Sequence, residues 1–224
     1  MHDGTDGFYL IHNKPRYPQG SNDLHMLEPG QLALCISFNK RESLPSIMNY
    51  VDSLASHEYQ RVGVFLNPQQ SRGSSDFIKH EIQSQSPALQ LDMFTKSRSI
   101  DLYLDAIAAN YRTKLQVFSW PLSSPKNDVA SDCAQPRRIE NILEIRDPLG
   151  TEIIRGDPSL HSRTREAMTD YANWAMDDGK KIFCLVDLGR SRNEFSKRGG
   201  AVCLKNDSVV RAFRSLIVLT ECSL

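Results

Sequence analysis

Short apolar runs alternate with helical periodicity along this chain. The apolar runs predict strands over residues 7–12, 32–38, 61–66 and 114–119. A helix is expected over residues 43–54, with the Ser43 side chain capping its first amides. Ser99 is expected to cap a second helix, whose inner face comprises Ile100, Tyr103, Leu104, Ile107, Ala108 and Tyr111. Strands that alternate with helices indicate an α/β fold.

Turn-forming residues and a weak internal repeat organise the rest of the chain. Residues 123–134 are rich in Ser, Pro, Asn and Asp and predict a loop, and Asp147-Pro and Asp157-Pro mark further breaks. Residues 8–12 (FYLIH) recur as residues 183–187 (FCLVD), each followed by a glycine, a cysteine-bearing strand and a helix. In the second copy of the repeat, the inner face of the predicted helix comprises Val209, Val210, Phe213, Leu216 and Ile217. The repeat is either a chance likeness of generic units or a duplicated fold.

Composition narrows the classes of function. The chain has 224 residues, 40% of them hydrophobic and 24% charged, which is enough to bury a sizeable core. Its formal net charge is zero, so no long-range field attracts a polyanion and any contact with nucleic acid must be local. No run of about 18 apolar residues occurs, which excludes a transmembrane helix, and no signal peptide is recognisable. These features alone predict a cytosolic protein.

The cysteines leave two interpretations open. Five scattered cysteines are either inert buried thiols or partners in disulfides. Asn206-Asp-Ser208 is an N-glycosylation sequon, which agrees with secretion.

Neither Cys-x-x-Cys, His-Glu-x-x-His nor a carboxylate cluster appears at metal-ligand spacing, so no metal or other cofactor is expected.

The most informative segments are residues 171–175 (YANWA), 183–190 (FCLVDLGR) and 198–203 (RGGAVC). They resemble the second catalytic block of deoxyribonuclease II, a family of the phospholipase D superfamily that cleaves DNA without a metal through two His-x-Lys motifs. If these segments are aligned with the family pattern, Tyr171 stands at the histidine position of the second His-x-Lys motif and Asn173 at its lysine position. The residues that match the family pattern are Trp174, Cys184, Asp187, Arg190, Arg198, Gly199, Gly200 and Cys203.

The resemblance extends over most of the chain. Residues 7–18 are similar to the family's strand that ends in a histidine before a proline-rich turn, and residues 30–38 and 115–120 are further matches. The resemblance implies a phospholipase D-like mixed β-sheet flanked by helices and built of two halves. Residues 1–57 would be the C-terminal part of the first half, and residues 58–224 a nearly complete second half. The family's first His-x-Lys lies just before the segment at which this chain begins, so the chain is identified as a divergent, N-terminally truncated member.

The family frame also implies roles for the cysteines. Cys184 and Cys203 occupy the positions of one family disulfide, and Cys133 and Cys222 those of another. Cys35 lies in an apolar strand and is expected to be a buried free thiol. Two disulfides imply an oxidising compartment.

The family's mechanism needs a histidine nucleophile, a second histidine that protonates the leaving oxygen, and two lysines that neutralise phosphate charge. Tyr171 is a poor substitute because a phenol has a pKa of about 10 and a different geometry from imidazole. Asn173 carries no charge, and Gly189 stands where the family has an asparagine before Arg190. Both catalytic motifs are then missing, one by truncation and one by substitution, and such losses typically cost orders of magnitude in rate.

Three other groups are candidates for residual chemistry. His161-Ser-Arg163 has the His-x-Lys spacing with the cation exchanged, but it lies upstream of the aligned position and is interpreted as a solvated loop. His12 is interpreted as a core or supporting histidine, and together with Asp187 it is a candidate residual site. Residues 198–200 either offer backbone amides and a guanidinium to a phosphate or form a tight turn into the following strand.

The resemblance therefore implies a deoxyribonuclease II-like protein, from a family that performs acid endonucleolytic hydrolysis of DNA, with impaired catalysis in this chain. The alternative is a secreted, non-catalytic interaction or DNA-binding protein. A secreted or lysosomal location is expected from the resemblance. Apolar surface left uncovered on residues 7–57 would favour aggregation or a protein partner that covers it.

Overall fold

A mixed sheet of nine strands carries most of the apolar runs. The computed structural model describes residues 6–12, 32–54, 76–85, 89–96, 99–119, 129–133, 139–146, 153–155 and 172–223. The strands of this sheet are β3 (Phe77–Gln83), β4 (Gln90–Lys96), β5 (Leu115–Phe118), β6 (Ile139–Arg146), β7 (Ile153–Arg155), β8 (Trp174–Asp177), β9 (Ile182–Val186), β10 (Gly199–Lys205) and β11 (Ile217–Thr220). Their order is β11-β6-β5-β8-β9-β10-β4-β3, with β7 beside β6. The β5–β6 pair is parallel, and the other strand pairs among the described residues are antiparallel.

A separate antiparallel ribbon and several helices flank the sheet. The ribbon consists of β1 (Asp6–His12) and β2 (Ala33–Asn39), and a bridge between Phe38 and Ser84 links it to the end of β3. The helices are α1 (Lys40–Ser53), a π-helix (Leu102–Ala108) continued by α2 (Ala109–Tyr111), α3 (Arg192–Phe195), α4 (Asp207–Arg214) and a 3₁₀ turn (Glu221–Ser223). The described helices include none that is long and apolar enough to cross a membrane. This arrangement confirms the predicted mixed α/β fold.

The sheet separates two hydrophobic clusters because alternate residues of each strand point to opposite faces. One cluster lies under the ribbon, α1 and α4, and is centred on Trp174, whose ring lies 5.4 Å from that of Phe118 and 5.0 Å from that of Phe213. The other lies under the π-helix and includes Cys184 and Cys203. Strands β9 and β10 are buried on both faces, which explains their nearly continuous apolar sequences.

The internal repeat has a structural counterpart. Strand β1 pairs antiparallel with β2, and α1 follows β2 directly; strand β9 pairs antiparallel with β10, and α4 follows β10. A duplicated fold predicts that the strands of His12 and Asp187 lie side by side or pseudo-symmetrically in one central sheet. This prediction is wrong, because β1 pairs within the ribbon and β9 within the large sheet. The local sequence therefore specifies the same unit of two paired strands and a helix twice. Long-range strand pairing decides which sheet each unit joins.

Most of the predicted elements are present. The strands predicted over residues 7–12, 32–38 and 114–119 are confirmed as β1, β2 and β5, and the part of the 123–134 loop that is described, residues 129–133, has no regular structure. The strand predicted over residues 61–66 and the breaks at Asp147 and Asp157 lie outside the described residues.

Both predicted helix caps are wrong. Helix α1 begins at Lys40, and the Oδ1 atom of Asn39 accepts from the Arg41 amide at 2.9 Å, while Ser43 is buried within the helix and donates to the Gln83 carbonyl. The second helix begins at Leu102, where Asp101 accepts from the Tyr103 and Leu104 amides.

The second helix also has an unexpected form. Its first seven residues form a π-helix, in which each turn holds more residues than in an α-helix. The wider turn changes the inner face, so Leu102 and Ala106 are buried in addition to the predicted Tyr103, Ile107 and Ala108, whereas Ile100, Leu104 and Tyr111 are only partly buried.

Two disulfides confirm the predicted pairing. Cys133 and Cys222 are bonded with Cα atoms 5.8 Å apart, and Cys184 and Cys203 are bonded with Cα atoms 4.0 Å apart. The second bond joins directly opposed residues of β9 and β10. Cys35 is a free thiol as predicted, but it is exposed rather than buried because Leu34 and Ile36 take the inward positions of β2.

Removing the Cys133–Cys222 bond should destabilise the fold. The bond joins residues 89 positions apart, so the double variant Cys133→Ala/Cys222→Ala is expected to lower the free energy of unfolding by about 2–5 kcal/mol through the entropy of the unfolded chain. Urea unfolding measures this difference. The exposed Cys35 provides the matched control, and Cys35→Ser should change stability by less than about 0.5 kcal/mol. Equal stabilities of the double variant and the parent would contradict the prediction.

Candidate functional site

Four of the residues singled out by the sequence meet at one end of the sheet. Asn173 precedes β8, Asp187 follows β9, and Gly199 and Gly200 begin β10. The three strands are adjacent and antiparallel, so the start of β8, the end of β9 and the start of β10 lie at the same edge. These four residues are called the Asp187 corner below.

Reciprocal hydrogen bonds hold the Asp187 corner. The Asp187 amide donates to the Gly200 carbonyl at 3.1 Å, and the Gly200 amide donates to Oδ1 of Asp187 at 2.7 Å. The Val186 amide donates to the Asn173 carbonyl at 3.0 Å. The backbone on both sides of β9 is therefore fixed where the polar side chains emerge.

The two glycines are needed for close packing. A Cβ atom on Gly200 would lie 2.5 Å from the Phe94 carbonyl oxygen and 2.6 Å from the Tyr50 hydroxyl, and a Cβ atom on Gly199 would lie 2.4 Å from Leu188. Both glycines are buried, and the amide of Gly200 already has Asp187 as its acceptor. Only Arg198 of this triplet is exposed. Phosphate binding at residues 198–200 stays a prediction, with Arg198 as its accessible cation.

The surroundings of Asp187 favour its neutral form. Loss of hydration raises the pKa of its carboxyl from 3.8 to about 7, hydrogen bonds from the backbone oppose the rise, and the negative charge of Glu194 adds to it. Asp187 is nevertheless an exposed residue, so water as well as the protein surrounds it. The upward direction of the shift follows from the dense surroundings, and the remaining contact with water reduces its energetic effect.

Lys96 supports the corner from beneath. This lysine ends β4, is 1% exposed, and donates to the carbonyl oxygens of Ile100, Glu194 and Phe195 at 3.0, 2.7 and 2.7 Å. An ammonium group has three donors, so these three carbonyls account for all of them. Burial lowers the pKa of Lys96, and the nearby carboxylates of Asp101 and Glu194 oppose that shift. Lys96 thus fastens α3 and the start of the π-helix to the sheet.

Arg190 connects the corner to more distant elements. Its Nε atom donates to Asp101 at 3.0 Å, and its Nη1 atom donates to the Val129 and Ala130 carbonyls and to Oδ1 of Asn141. Both members of the Arg190–Asp101 ion pair are almost fully buried. Since Asp101 also caps the π-helix, one ion pair joins that helix, the loop at residues 129–130 and the segment after β9.

The π-helix contributes a further contact. The Tyr103 hydroxyl donates to the Leu188 carbonyl at 2.6 Å, and burial raises the pKa of this phenol well above its usual value. Arg190 was predicted from the family resemblance, whereas Lys96 and Asp101 were not predicted. The available signals were a charged residue that closes an apolar run and an aspartate immediately before the helix, and both signals are weak.

Several predicted site residues cannot be placed at this corner. Tyr171 and the His161–Arg163 triplet lie outside the described residues. Gly189 is buried next to Arg190. His12 is the last residue of β1, in a different sheet from β9, so the proposed pairing of His12 with Asp187 does not arise from adjacent strands. Residues 12–14 (HNK) also have the His-x-Lys spacing, which was not among the predicted sites, and Lys14 lies outside the described residues.

Two cavities occur away from the corner. One of about 100 Å³ lies at the opposite end of β5 and β8, beside Lys114, Asp177 and Arg214. The other, of about 150 Å³, is apolar and lies between β2 and α4. Both are smaller than typical ligand sites of about 300–1,000 Å³, so the chemistry of the corner is the better guide to function. Within the described part of the chain, no group of three or more His, Cys, Asp or Glu side chains is arranged to hold a metal ion.

Comparison with known proteins adds a family assignment to this geometry. The family described as Deoxyribonuclease II matches residues 1–222. Deoxyribonuclease-2-alpha of Rattus norvegicus is 26% identical over 96% of this chain and 63% of its own length. Deoxyribonuclease-2-beta of Homo sapiens is 25% identical over 97% of the chain and 62% of its own. Cell-death-related nuclease 7 of Caenorhabditis elegans is 21% identical over 99% of the chain and 62% of its own. The chain therefore spans less than two thirds of the length of these relatives.

The carboxyl of Asp187 should make stability depend on pH. Between about pH 4 and pH 7 the folded protein retains a proton that the unfolded chain has released, so the free energy of unfolding falls as pH rises through this range. The full pKa shift corresponds to about 4 kcal/mol, but because Asp187 contacts solvent we expect about 1–2 kcal/mol. Asp187→Asn keeps an oxygen acceptor for Gly200 and should remove this part of the pH dependence, as measured by urea unfolding from pH 4 to pH 8.

The matched control is Asp178→Asn, because the Asp178 side chain is 57% exposed. Its pH profile should follow that of the parent between pH 5 and pH 8. A parent protein whose stability rises steadily from pH 5 to pH 7, with Asp187→Asn rising in parallel, would rule out the neutral form of Asp187.

Proposed function

The chain belongs to the deoxyribonuclease II family, and from this premise we propose that it is a deoxyribonuclease II-like protein with impaired catalysis. In this proposal its second catalytic block keeps the scaffold that positions DNA chemistry in the family but lacks the residues that perform it. The activity in question is metal-independent, acid endonucleolytic hydrolysis of DNA. Because the chain spans less than two thirds of its relatives, activity, substrate and partners are all part of the proposal.

The main support for this proposal is that an asparagine, Asn173, stands at the position of a catalytic lysine. Asn173 stands where the family pattern has its second lysine, and it lies at the Asp187 corner with 7% of its surface exposed. An amide there cannot neutralise the charge that develops on a phosphate during hydrolysis. At the histidine position Tyr171 offers a phenol, which is a poor nucleophile at acidic pH.

Neighbouring cations do not compensate in this proposal. The three donors of Lys96 are all directed to backbone carbonyls, and the donors of Arg190 described above are directed to Asp101, Asn141 and two carbonyls. Recruiting either cation to a phosphate would break buried hydrogen bonds, which is costly. Arg198 is exposed and would contribute to DNA binding without contributing to cleavage.

Two further expectations belong to the proposal. A secreted or lysosomal location is supported by the two disulfides, which form in oxidising compartments. The division into a first half at residues 1–57 and a second half at residues 58–224 is supported by the pairing of β1 with β2, while β3 to β11 all belong to the large sheet.

A second candidate function is that of a non-catalytic interaction protein. The outer face of β1 exposes Phe8 (40%) and Leu10 (47%), and Leu10 lies opposite the exposed Cys35 of β2. Exposed large apolar side chains on one strand face favour association with another surface. A protein partner would bind this outer face of the ribbon, and DNA binding at Arg198 would be independent of it.

The proposal predicts that the chain does not cleave DNA. Supercoiled plasmid incubated with it at about pH 5 in the presence of a chelator should show no nicking above buffer background, with a deoxyribonuclease-2-alpha as the positive control. The variant Tyr171→His/Asn173→Lys should also remain inactive, since the family mechanism uses two His-x-Lys motifs and this variant restores only the second, while His12 aligns with the histidine that ends the family's strand. A band-shift assay with the same DNA tests binding separately.

Nicking by the unmodified chain under these conditions would overturn the proposal. The variants His12→Asn and His161→Asn would then identify which His-x-cation triplet is responsible. DNA binding without nicking would favour a DNA-binding role over the enzymatic one.

The outer face of the ribbon generates another prediction. Phe8→Ser/Leu10→Ser should reduce concentration-dependent association of the purified protein, because it removes the two large apolar side chains exposed on β1. Analytical ultracentrifugation across a hundredfold range of concentration measures this change. Val218→Ser is the control, since Val218 is 42% exposed on β11 rather than on the ribbon. Association that is unchanged in the double variant, or equally reduced in the control, would count against this surface.

A further inference from the structure

The segment between β10 and α4 carries a sequence for covalent modification. Asn206-Asp207-Ser208 is the single Asn-x-Ser/Thr sequon without proline in the 224 residues. Asn206 is half-buried between the end of β10 and the start of α4, and Ser208 is exposed on the first turn of that helix. A surface turn of this kind has room for a bulky substituent.

The hydrogen bonds of Asn206 leave the reactive atom available. Its Oδ1 atom accepts from the Val209 amide at 3.0 Å and so caps α4, and its backbone amide and carbonyl bond Lys181 and Val210. N-linked glycosylation occurs at the other atom of the side chain, Nδ2. The glycosylated side chain remains an amide with an intact carbonyl oxygen, so the cap is preserved.

We propose that Asn206 carries an N-linked oligosaccharide. Its formation requires a polyprenyl-diphosphate-linked oligosaccharide, the donor of the secretory pathway. A bond forms between Nδ2 and the anomeric carbon of the first sugar, the bond from that carbon to the diphosphate oxygen breaks, Nδ2 loses one proton, and the lipid diphosphate leaves. The disulfides Cys133–Cys222 and Cys184–Cys203 independently favour folding in that compartment. The proposal goes beyond the nuclease question and holds whether or not the chain cleaves DNA.

Asn206 lies at the opposite end of β10 from the Asp187 corner. Strand β10 runs from Gly199 at the Asp187 corner to Lys205 next to Asn206, and seven residues of strand span about 20 Å. The oligosaccharide would cover the end of the sheet at α4 and the turn before β9. The Asp187 corner at the opposite end would remain accessible, so a macromolecule would approach the protein from that end.

The test is expression of the full chain behind a cleavable secretion signal in eukaryotic cells, followed by intact-mass analysis with and without peptide-N-glycosidase. One oligosaccharide is expected on the parent, with release converting Asn206 to aspartate. Ser208→Ala and Asn206→Asp should both lose it while keeping an oxygen cap for Val209. Ser208→Thr, which keeps the sequon, should retain it.

Mass analysis of chains retained inside the cell covers variants that are not secreted, because transfer precedes completion of folding. Parent chains with an unshifted mass, intracellular and secreted alike, would overturn the proposal. A glycan that persists in Ser208→Ala would do the same. Thermal unfolding separates the two roles of Asn206: Asn206→Ala should lower the midpoint more than Asn206→Asp does, although both lack the sugar.

Discussion

The pairing of β9 with β10 is the constraint on which the rest of the structure depends. Both strands are buried on both faces, and Cys184 and Cys203 are directly opposed and covalently joined. A shift of one residue in this pairing would exchange the faces of every side chain on one strand, and the disulfide forbids such a shift. The pair therefore sets both hydrophobic clusters at once and also places Asp187 opposite Gly200.

The polar groups around this pair act chiefly on the fold. Lys96 fastens α3 and the start of the π-helix to β4, and Arg190 joins Asp101 to the segment at residues 129–130. Each of the three donors of Lys96 has a carbonyl acceptor, and Arg190 is paired with Asp101. Removing one partner of such a buried interaction would leave the other unpaired. The donors described for Lys96 and Arg190 are directed to other groups of the protein, so both residues support the scaffold.

The opposite ends of the sheet are chemically different. The Asp187 corner carries a carboxyl that favours its neutral form, and the exposed Arg198 directly precedes its two glycines. The other end carries the Asn206 turn and the ion pairs of Lys181 with Asp178 and Asp207. The outer face of the β1–β2 ribbon is a third, apolar surface.

Prediction from the sequence succeeded where a signal was local or where the family frame supplied the register. Apolar runs located β1, β2 and β5 to within one or two residues, and the family frame paired all four bonded cysteines correctly. It failed at Ser43, Ser99 and Cys35, because the strength of a cap depends on where the preceding strand ends and the exposure of a thiol depends on which strand face is covered. The π-helix has no distinctive periodicity over seven residues and was therefore not predicted.

The sequence by itself determined the family and the alternation of strands and helices, and through the family resemblance it predicts that Tyr171 and Asn173 stand at the positions of a histidine and a lysine. Only the tertiary structure decided that β1 and β9 belong to different sheets, that Lys96 and Asp101 support the site, and that the amide of Gly200 is bound by Asp187. The physical reason is the range of the interactions. Residue identity and periodicity act locally along the chain, whereas strand pairing, burial and the pKa of Asp187 arise from residues that are distant in sequence and meet only in the folded protein.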